Sequence, residues 1–436
     1  MLSLAGLLLG LALLIVLTMR GASLFIATPF CALVIALTSG IALLPPFGSE
    51  GRDLVTLYMG GFTDFIGKWF FMFLFGAIFG KLMEDSGAAD SIARWIMGKL
   101  GVRHACLAVV LACAALTYGG VSLFVVAFSV YPMALSLFRA ADMPRRFIPA
   151  ALGLGSISVT MTAAGSPEIQ NWIPIPYLHS SPWAAWEASL IVAVLMAVGG
   201  QLWLNRMIAK AKSRGEAFES RADDPQARTD NLPSPYVSML PLVLVLVLSF
   251  ALHDTLGTSA LIVALLAGAG LTAALGWTRL REPGKAMADG STYALIAIGN
   301  TAAVVGFGLV ARAAPAFADI VQWITHLPGS GVVNAAIAVS LIAAMTGSAS
   351  GGQAIALPII APLYLGQGVD PNQLHRSVVL ASGALDAMPH NGYIVTTIRA
   401  VCRETHQAAY WPLAAMTVVV TTAGLIVCLL LFALGL

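Results

Sequence analysis

Runs of about 20 apolar residues recur along the chain from Leu2 to Leu436, each long enough to cross a hydrocarbon core of about 30 Å at 1.5 Å rise per residue. The first half carries such runs at about 2–19, 22–44, 69–84, 147–178 and 183–205, with an additional apolar segment at about 104–138. The second half repeats the series near 236–254, 257–277, 291–313, 373–400 and 411–434, with its additional segment at about 331–365. The alternating strands of about ten residues that a membrane barrel needs are absent from the sequence. The pattern predicts an all-α polytopic membrane protein.

Two of the runs are broken. Gly165-Ser166-Pro167-Glu168-Ile169-Gln170-Asn171 interrupts 147–178, and Asp386-Ala387-Met388-Pro389-His390-Asn391-Gly392 interrupts 373–400. Proline and glycine free backbone donors and acceptors there, and in lipid such groups are tolerated only where they are buried in protein or line a cavity. A matched pair of broken helices is a pointer to a transporter binding site. The additional segments each have a small-residue break as well, Thr117-Tyr118-Gly119-Gly120-Val121-Ser122 and Thr346-Gly347-Ser348-Ala349-Ser350-Gly351-Gly352. Their limbs, about 13 to 17 residues, are short for full crossings and favour re-entrant hairpins.

Landmarks in the halves coincide at an offset of about 230: Trp95 with Trp323, Thr117 with Thr346, Arg146 with Arg376. Residues 1–205 and 236–436 are therefore read as two repeats, joined by the polar stretch 206–235. Five net crossings per half is an odd number, so the second repeat is expected upside down relative to the first. Charge supports this reading. Arg206, Lys210, Lys212, Arg214, Arg221 and Arg228 make the linker cytoplasmic by the positive-inside rule, and only Arg52, Lys68, Arg312 and Arg376 of the 23 basic residues then fall on the opposite face. Both termini are expected to be extracytoplasmic.

Composition agrees with a lipid-embedded chain: 58% of the residues are hydrophobic and 10% charged, against roughly 25% charged in soluble proteins. The net charge of +2 gives no signal for nucleic acid. The first run lacks the basic start and cleavage site of a signal peptide and reads as a retained helix. The five cysteines show neither a disulfide framework nor metal-ligand spacing and read as small buried hydrophobes. Neither a phosphate-binding loop ending in Lys-Ser/Thr nor a His-Glu-x-x-His helix is present, and no cofactor or metal is expected. Lys81 and Asp85 are spaced to pair on one helical face.

A half-helix beginning at a break presents free amides and a partial positive charge, which suits a carboxylate, and Gly, Ser and Thr at the hairpin tips allow close backbone approach. The substrate-binding candidates are Gly119, Gly120, Ser122, Ser166, Asn171, Thr346, Ser348, Ser350, His390 and Asn391. Glu168, Asp386 and His390 are ionisable groups at the predicted breaks and are the proton-coupling candidates. Capping of a half-helix is the alternative role for Glu168 and Asp386, and a structural donor role is the alternative for His390.

These segments, together with Phe75-Gly76-Ala77-Ile78-Phe79-Gly80-Lys81-Leu82-Met83-Glu84-Asp85-Ser86-Gly87, resemble the gluconate permease family within the ion transporter superfamily. The resemblance covers essentially the whole chain. The combination of the two broken-helix motifs is similar to the branch of short hydroxy-acid permeases, such as those for 3-hydroxybutyrate. It implies proton-coupled uptake of a small hydroxylated monocarboxylate across a bacterial inner membrane, an elevator-like motion and a homodimer. Sodium-coupled dicarboxylate carriers of that superfamily carry Ser-Asn-Thr at the hairpin tips, and neither tip here has it. A neutral residue is more usual in the family where this chain has Glu168. A sugar acid such as gluconate is the competing substrate, and a cation/proton antiporter using Asp386 and Glu168 is the reading from another class.

Overall fold

The computed structural model describes residues 2–45, 52–121, 123–222, 224, 230–257, 259–325 and 329–436. Apart from one isolated bridge between Ala42 and Asp53, the described residues are helical or irregular. In the first half α1 (Leu2–Met19) and α2 (Leu24–Ser39) precede the long α3 (Leu54–Asp85), whose N-terminus is capped by the Asp53 carboxylate accepting from the Thr56 amide at 2.9 Å. A polar-faced α4 (Ala88–Leu100) follows, then α5 (Ala105–Tyr118) and α6 (Leu123–Ala140). Next come α7 (Ile148–Gly153), continued by a π-helical stretch over Leu154–Met161, the single turn α8 (Ile175–Leu178) and α9 (Trp186–Ser213).

The second half runs α10 (Pro235–Ala251), α11 (His253–Leu256), α12 (Ser259–Gly276), the long α13 (Pro283–Ala313) and α14 (Pro315–Thr325). Then come α15 (Gly331–Thr346), α16 (Ala349–Gly366), α17 (Pro371–Ala384) and, beyond a break, α18 (Gly392–Val395) with a π-helical continuation over Thr396–Val401. Finally α19 (His406–Ala414) passes through π turns at Ala415–Val419 into α20 (Val420–Ala433).

Among the described residues six helical runs are long and apolar enough to cross a membrane: α3, α9, α12, α13, α16 and the α19–α20 run. α1, α2, α10 and α15 are shorter apolar helices. Length alone thus selects fewer spans than the five crossings per half read from the sequence: α1, α2 and α10 are unbroken but short, and breaks and π turns divide the runs 147–178 and 373–400.

The pairings in one half recur in the other. α1 packs on α2 as α10 packs on α12; α2 lies against α13 as α12 lies against α3; α5 packs on α7 and its π stretch as α15 packs on α17. The two long helices α3 and α13 are each other's main neighbours and run antiparallel. A Cβ at Gly61 would meet the Val305 carbonyl at 2.9 Å, one at Gly306 the Tyr58 carbonyl at 2.7 Å, and one at Gly290 the Ile78 Cα at 2.9 Å. Small residues at these crossings let the backbones touch, which in lipid substitutes van der Waals packing for the missing hydrophobic drive. A small core under α1, α2 and the end of α13 is built from Leu7, Leu14, Cys31, Ile35, Phe307 and Val310; the large one joins the remaining helices.

Polar side chains gather at the helix ends. Lys81 closes α3 by pairing with Asp85 at 2.7 Å and Glu84 at 3.4 Å. The described part of the linker folds back on the first half: Glu216 takes a two-pronged contact from Arg146, and Asp224 pairs with Arg139 and Arg145, each at 3.0 Å. Arg145 and Arg221 both reach Glu404, at 2.9 Å each, in the turn between the Thr396–Val401 stretch and α19. The linker is thereby fastened to segments of both halves. Pro233, just before α10, accepts from the Ser91 hydroxyl of α4 at 2.6 Å.

Candidate substrate cavity

The first break begins where the π-helical stretch ends at Met161. Gly165 takes φ of +76°, a conformation glycine tolerates, and a Cβ there would collide with the Trp183 ring at 2.4 Å. Its amide donates to the Pro182 carbonyl at 2.8 Å. Beyond the break only a three-residue turn, Ile169–Asn171, and α8 form, so no half-helix of useful length starts there. Pro174, Pro176 and Pro182 explain this, because each removes a backbone donor and restricts the residue before it.

What holds this irregular loop is Arg376, fully buried on α17. Its Nη1 donates to the Thr162 carbonyl at 2.8 Å and to Asn171 Oδ1 at 3.1 Å, its Nε to the Ala184 carbonyl at 3.1 Å and its Nη2 to the Pro182 carbonyl at 3.2 Å. Asn171 in turn donates to the carbonyls of Ser166 at 3.1 Å and Pro182 at 2.9 Å. The positive-inside count assigns Arg376 to the outer face, but the side chain is not at a surface; it is an internal clip between the two broken helices. Buried polar groups demand partners, and this one guanidinium serves three backbone carbonyls and the Asn171 side chain.

The second break, Leu385–Asn391, leads into α18, whose first turn is capped by the Asn391 side chain accepting from the Ile394 amide at 3.0 Å. The tip between α15 and α16 lies against it. Gly347 has φ of +59°, and a Cβ there would stand 2.5 Å from the His390 ring. Ser348 caps α16 by accepting from the Gly351 amide at 3.1 Å. The Asp386 carboxyl lies by the Ala349 amide at the N-terminus of α16. The other tip is tied to its own break in a similar manner: the Tyr118 hydroxyl donates to the Ala164 carbonyl at 2.8 Å.

Between these parts and the long helices lies a cavity of about 170 Å³. Gly120 and Pro167–Gln170 border it from the first half, and Gly347–Ser350, Asp386 and Asn391–Tyr393 from the second. α3, α12 and α13 close the opposite wall, with Met72 and Phe73 from α3 and Asn300 and Thr301 from α13. Of the candidates named from sequence, Gly120, Glu168, Ser348, Ser350, Asp386 and Asn391 line it together. Gly119, Ser166, Asn171, Thr346 and His390 stand behind the lining. Gly119 packs on Leu242, Ser166 and Asn171 belong to the Arg376 clip, and Thr346 bonds back to the Ile342 carbonyl at 2.9 Å. His390 is buried with no hydrogen bond at either ring nitrogen. Ser122 lies outside the described residues. Among the described residues, Glu168 and Asp386 are the two carboxyl side chains on the lining and neither is ion-paired to a cation.

Sequence reasoning missed Gln170, Tyr293, Asn300, Thr301 and Tyr393, all on the wall. Asn300 was findable, since a carboxamide inside an apolar 31-residue helix is costly in lipid unless it faces the protein or a cavity. The five cysteines are free and buried, as their setting in apolar runs suggested.

Residues 2–434 match the family described as GntP family permease. An uncharacterized transporter, YxjC, of Bacillus subtilis (strain 168) is 35% identical, the alignment covering 95% of this chain and 96% of that one. The high-affinity gluconate transporter of Escherichia coli (strain K12) is 27% identical over 44% of this chain and 43% of its own length. Among solved structures, the Alcanivorax borkumensis YdaH transporter superposes with a TM-score of 0.56 at 18% identity, over 94% of this chain and 97% of that one, a likeness of fold.

Proposed function

The chain belongs to the GntP permease family, and from that premise we propose that it is a secondary active transporter of a small hydroxy monocarboxylate of the 3-hydroxybutyrate or lactate kind, moved together with protons by an elevator-type alternating-access cycle. The family and the relatives are permeases and transporters rather than enzymes.

The observation that carries the reading is the make-up of the 170 Å³ cavity. It is small beside the roughly 300–1,000 Å³ of drug-sized sites, which favours a short solute. The N-terminus of α16 and the capped start of α18 open on it, offering amide donors for a carboxylate. Asn300, Thr301 and Asn391 offer uncharged groups for a hydroxyl. Glu168 and Asp386, unpaired and on the same wall, are the groups to exchange protons as the substrate comes and goes. Asp386 at the start of α16 would compete with a carboxylate for the same amides, so its protonation frees them for the substrate.

Equivalent long helices packed antiparallel, with neighbour pairings repeated in both halves, support an inverted repeat with the site at its centre. One wall comes from α3, α12 and α13 and the other from tips and breaks, so sliding one set past the other would carry the site across. The distribution of basic residues supports a bacterial inner-membrane location with both termini extracytoplasmic; a homodimer rests on the family resemblance. Gluconate competes as substrate because one relative is a gluconate transporter.

The test is uptake of labelled 3-hydroxybutyrate into proteoliposomes under an imposed inward proton gradient, with lactate and gluconate as competitors. Gradient-driven, sodium-independent uptake is expected, with lactate the stronger competitor. Gluconate displacing the label at far lower concentration would move the substrate to the sugar acids. Sodium dissipating the proton gradient without any carboxylate would replace symport by cation/proton exchange.

A further inference from the structure

A second recess lies at the basic end of α9, away from the central cavity. It encloses about 350 Å³ among Val102, Arg103, Met143, Asn205, Ile208 and Lys212. Its polar groups are donors. Arg103 and Lys212 are exposed and neither forms an ion pair among the described residues, whereas Arg139, Arg145, Arg146 and Arg221 are all paired with carboxylates. Lys212 gives one hydrogen bond to the Ala141 carbonyl at 3.0 Å and keeps two donors; Asn205 accepts from Gln201 at 2.8 Å and keeps its amide. No acidic residue is among the described residues that line the recess.

The outward face of α9 leads straight into it. Leu195, Val198 and Leu202 are exposed by 51%, 54% and 51% and follow one another at helical spacing, and the same face continues through Asn205, Ala209 and Lys212. An apolar stripe fit for hydrocarbon thus ends at a donor-rich pocket beside the polar linker. Arg206 and Lys210, on neighbouring positions, strengthen the positive potential.

We propose that this recess binds an anionic phospholipid, its phosphate between Arg103 and Lys212 and an acyl chain along Leu202, Val198 and Leu195. Basic pockets at the ends of membrane helices recognise headgroups through such cations. The site is independent of the transport reading and would fasten the α5–α6 base and the end of α9 to one leaflet.

The experiment is native mass spectrometry of the full-length protein in detergent, titrated separately with phosphatidylglycerol, phosphatidylethanolamine and glycerol 3-phosphate. Phosphatidylglycerol is expected to bind most tightly, and the Arg103→Gln/Lys212→Gln variant to bind it roughly 30-fold more weakly, about fivefold for each charge. The charge-keeping Arg103→Lys/Lys212→Arg variant should restore binding to within a few-fold, which excludes misfolding as the cause. Among the described residues the Arg103 side chain forms neither a hydrogen bond nor an ion pair, and it is exposed, so the single Arg103→Gln variant should fold normally and show its fivefold share. Unchanged affinity in the doubly neutralised variant would overturn the proposal, as would equal loss in a charge-matched Arg281→Gln/Lys285→Gln control. Glycerol 3-phosphate binding as tightly as the lipid would overturn the assignment to lipid in favour of a soluble phosphate.

Discussion

Replacing Arg376 by methionine removes the clip without leaving a hole. The side chain donates to four oxygens, on Thr162, Asn171, Pro182 and Ala184. Pro182 keeps the Gly165 amide and the Asn171 amide as donors, and Asn171 keeps both of its own donations. The carbonyls of Thr162 and Ala184 bear the loss, at about 1–3 kcal/mol for each buried acceptor left unsatisfied. Relief of the desolvated guanidinium returns part of that, so a net destabilisation of about 2–4 kcal/mol is expected. For a chain of 436 residues the shift is about 1 °C per kcal/mol, so the melting midpoint should fall by about 2–4 °C. Arg376→Lys should fall between, since one ammonium cannot span acceptors on both sides of the loop. The assay is thermal melting of the detergent-purified protein followed by size-exclusion, with uptake measured on the same preparations. Normal melting with lost uptake would refute the clip and make Arg376 a substrate group; normal melting with normal uptake would refute any role for it.

Asp386→Asn should keep the protein's melting temperature and abolish acceleration of uptake by an inward proton gradient; an unchanged pH profile would return Asp386 to capping α16. Gly347→Ala should cost about 1–2 kcal/mol from its left-handed backbone, plus a clash with the His390 ring. His390→Ala should recover the clash component, and a double-mutant cycle with coupling below about 0.5 kcal/mol would refute that contact. The linker clasp has a pH limit. Burial raises the Asp224 carboxyl, but the Arg221 amide and the Arg145 charge outweigh it, so its pKa lies below the ordinary 3.8. A lowered acid contributes stability that is full above 3.8 and lost as pH falls through the folded value. Pepsin should therefore spare the linker at pH near 4 and cut it as the pH drops further, while Asp224→Asn should be cut at both; equal rates for the two proteins would contradict the clasp.

The positions that were legible in the sequence are those where lipid leaves few choices. Gly120, Glu168, Ser348, Ser350, Asp386 and Asn391 stood out as polar or glycine interruptions of apolar runs, and all six meet at the cavity. Thr117 and Thr346, matched by offset, each fall at the end of the first limb before a tip. Asn171 and His390 look the same in sequence, but which polar residue faces a cavity and which satisfies backbone behind it depends on rotations of one residue that periodicity does not report. Arg376 was misplaced for a related reason: a charge near a helix start reads as a loop charge, and only the fold shows the proline-rich loop it serves. The opposite wall was harder to see because Asn300 and Thr301 sit in an unbroken helix, where Gly299 beside them does not interrupt the apolar run.

The central claim is that the cavity between α13 and the paired tips is where the carboxylate sits. The five native cysteines are buried, so Thr301→Cys, on the cavity wall, offers a single accessible thiol. Its rate of modification by a small, membrane-impermeant methanethiosulfonate in proteoliposomes should fall in proportion to site occupancy as 3-hydroxybutyrate or lactate is added, and stay unchanged with an uncharged analogue. Modification at the same rate with and without every carboxylate tried, in protein that transports one of them, would put the substrate elsewhere.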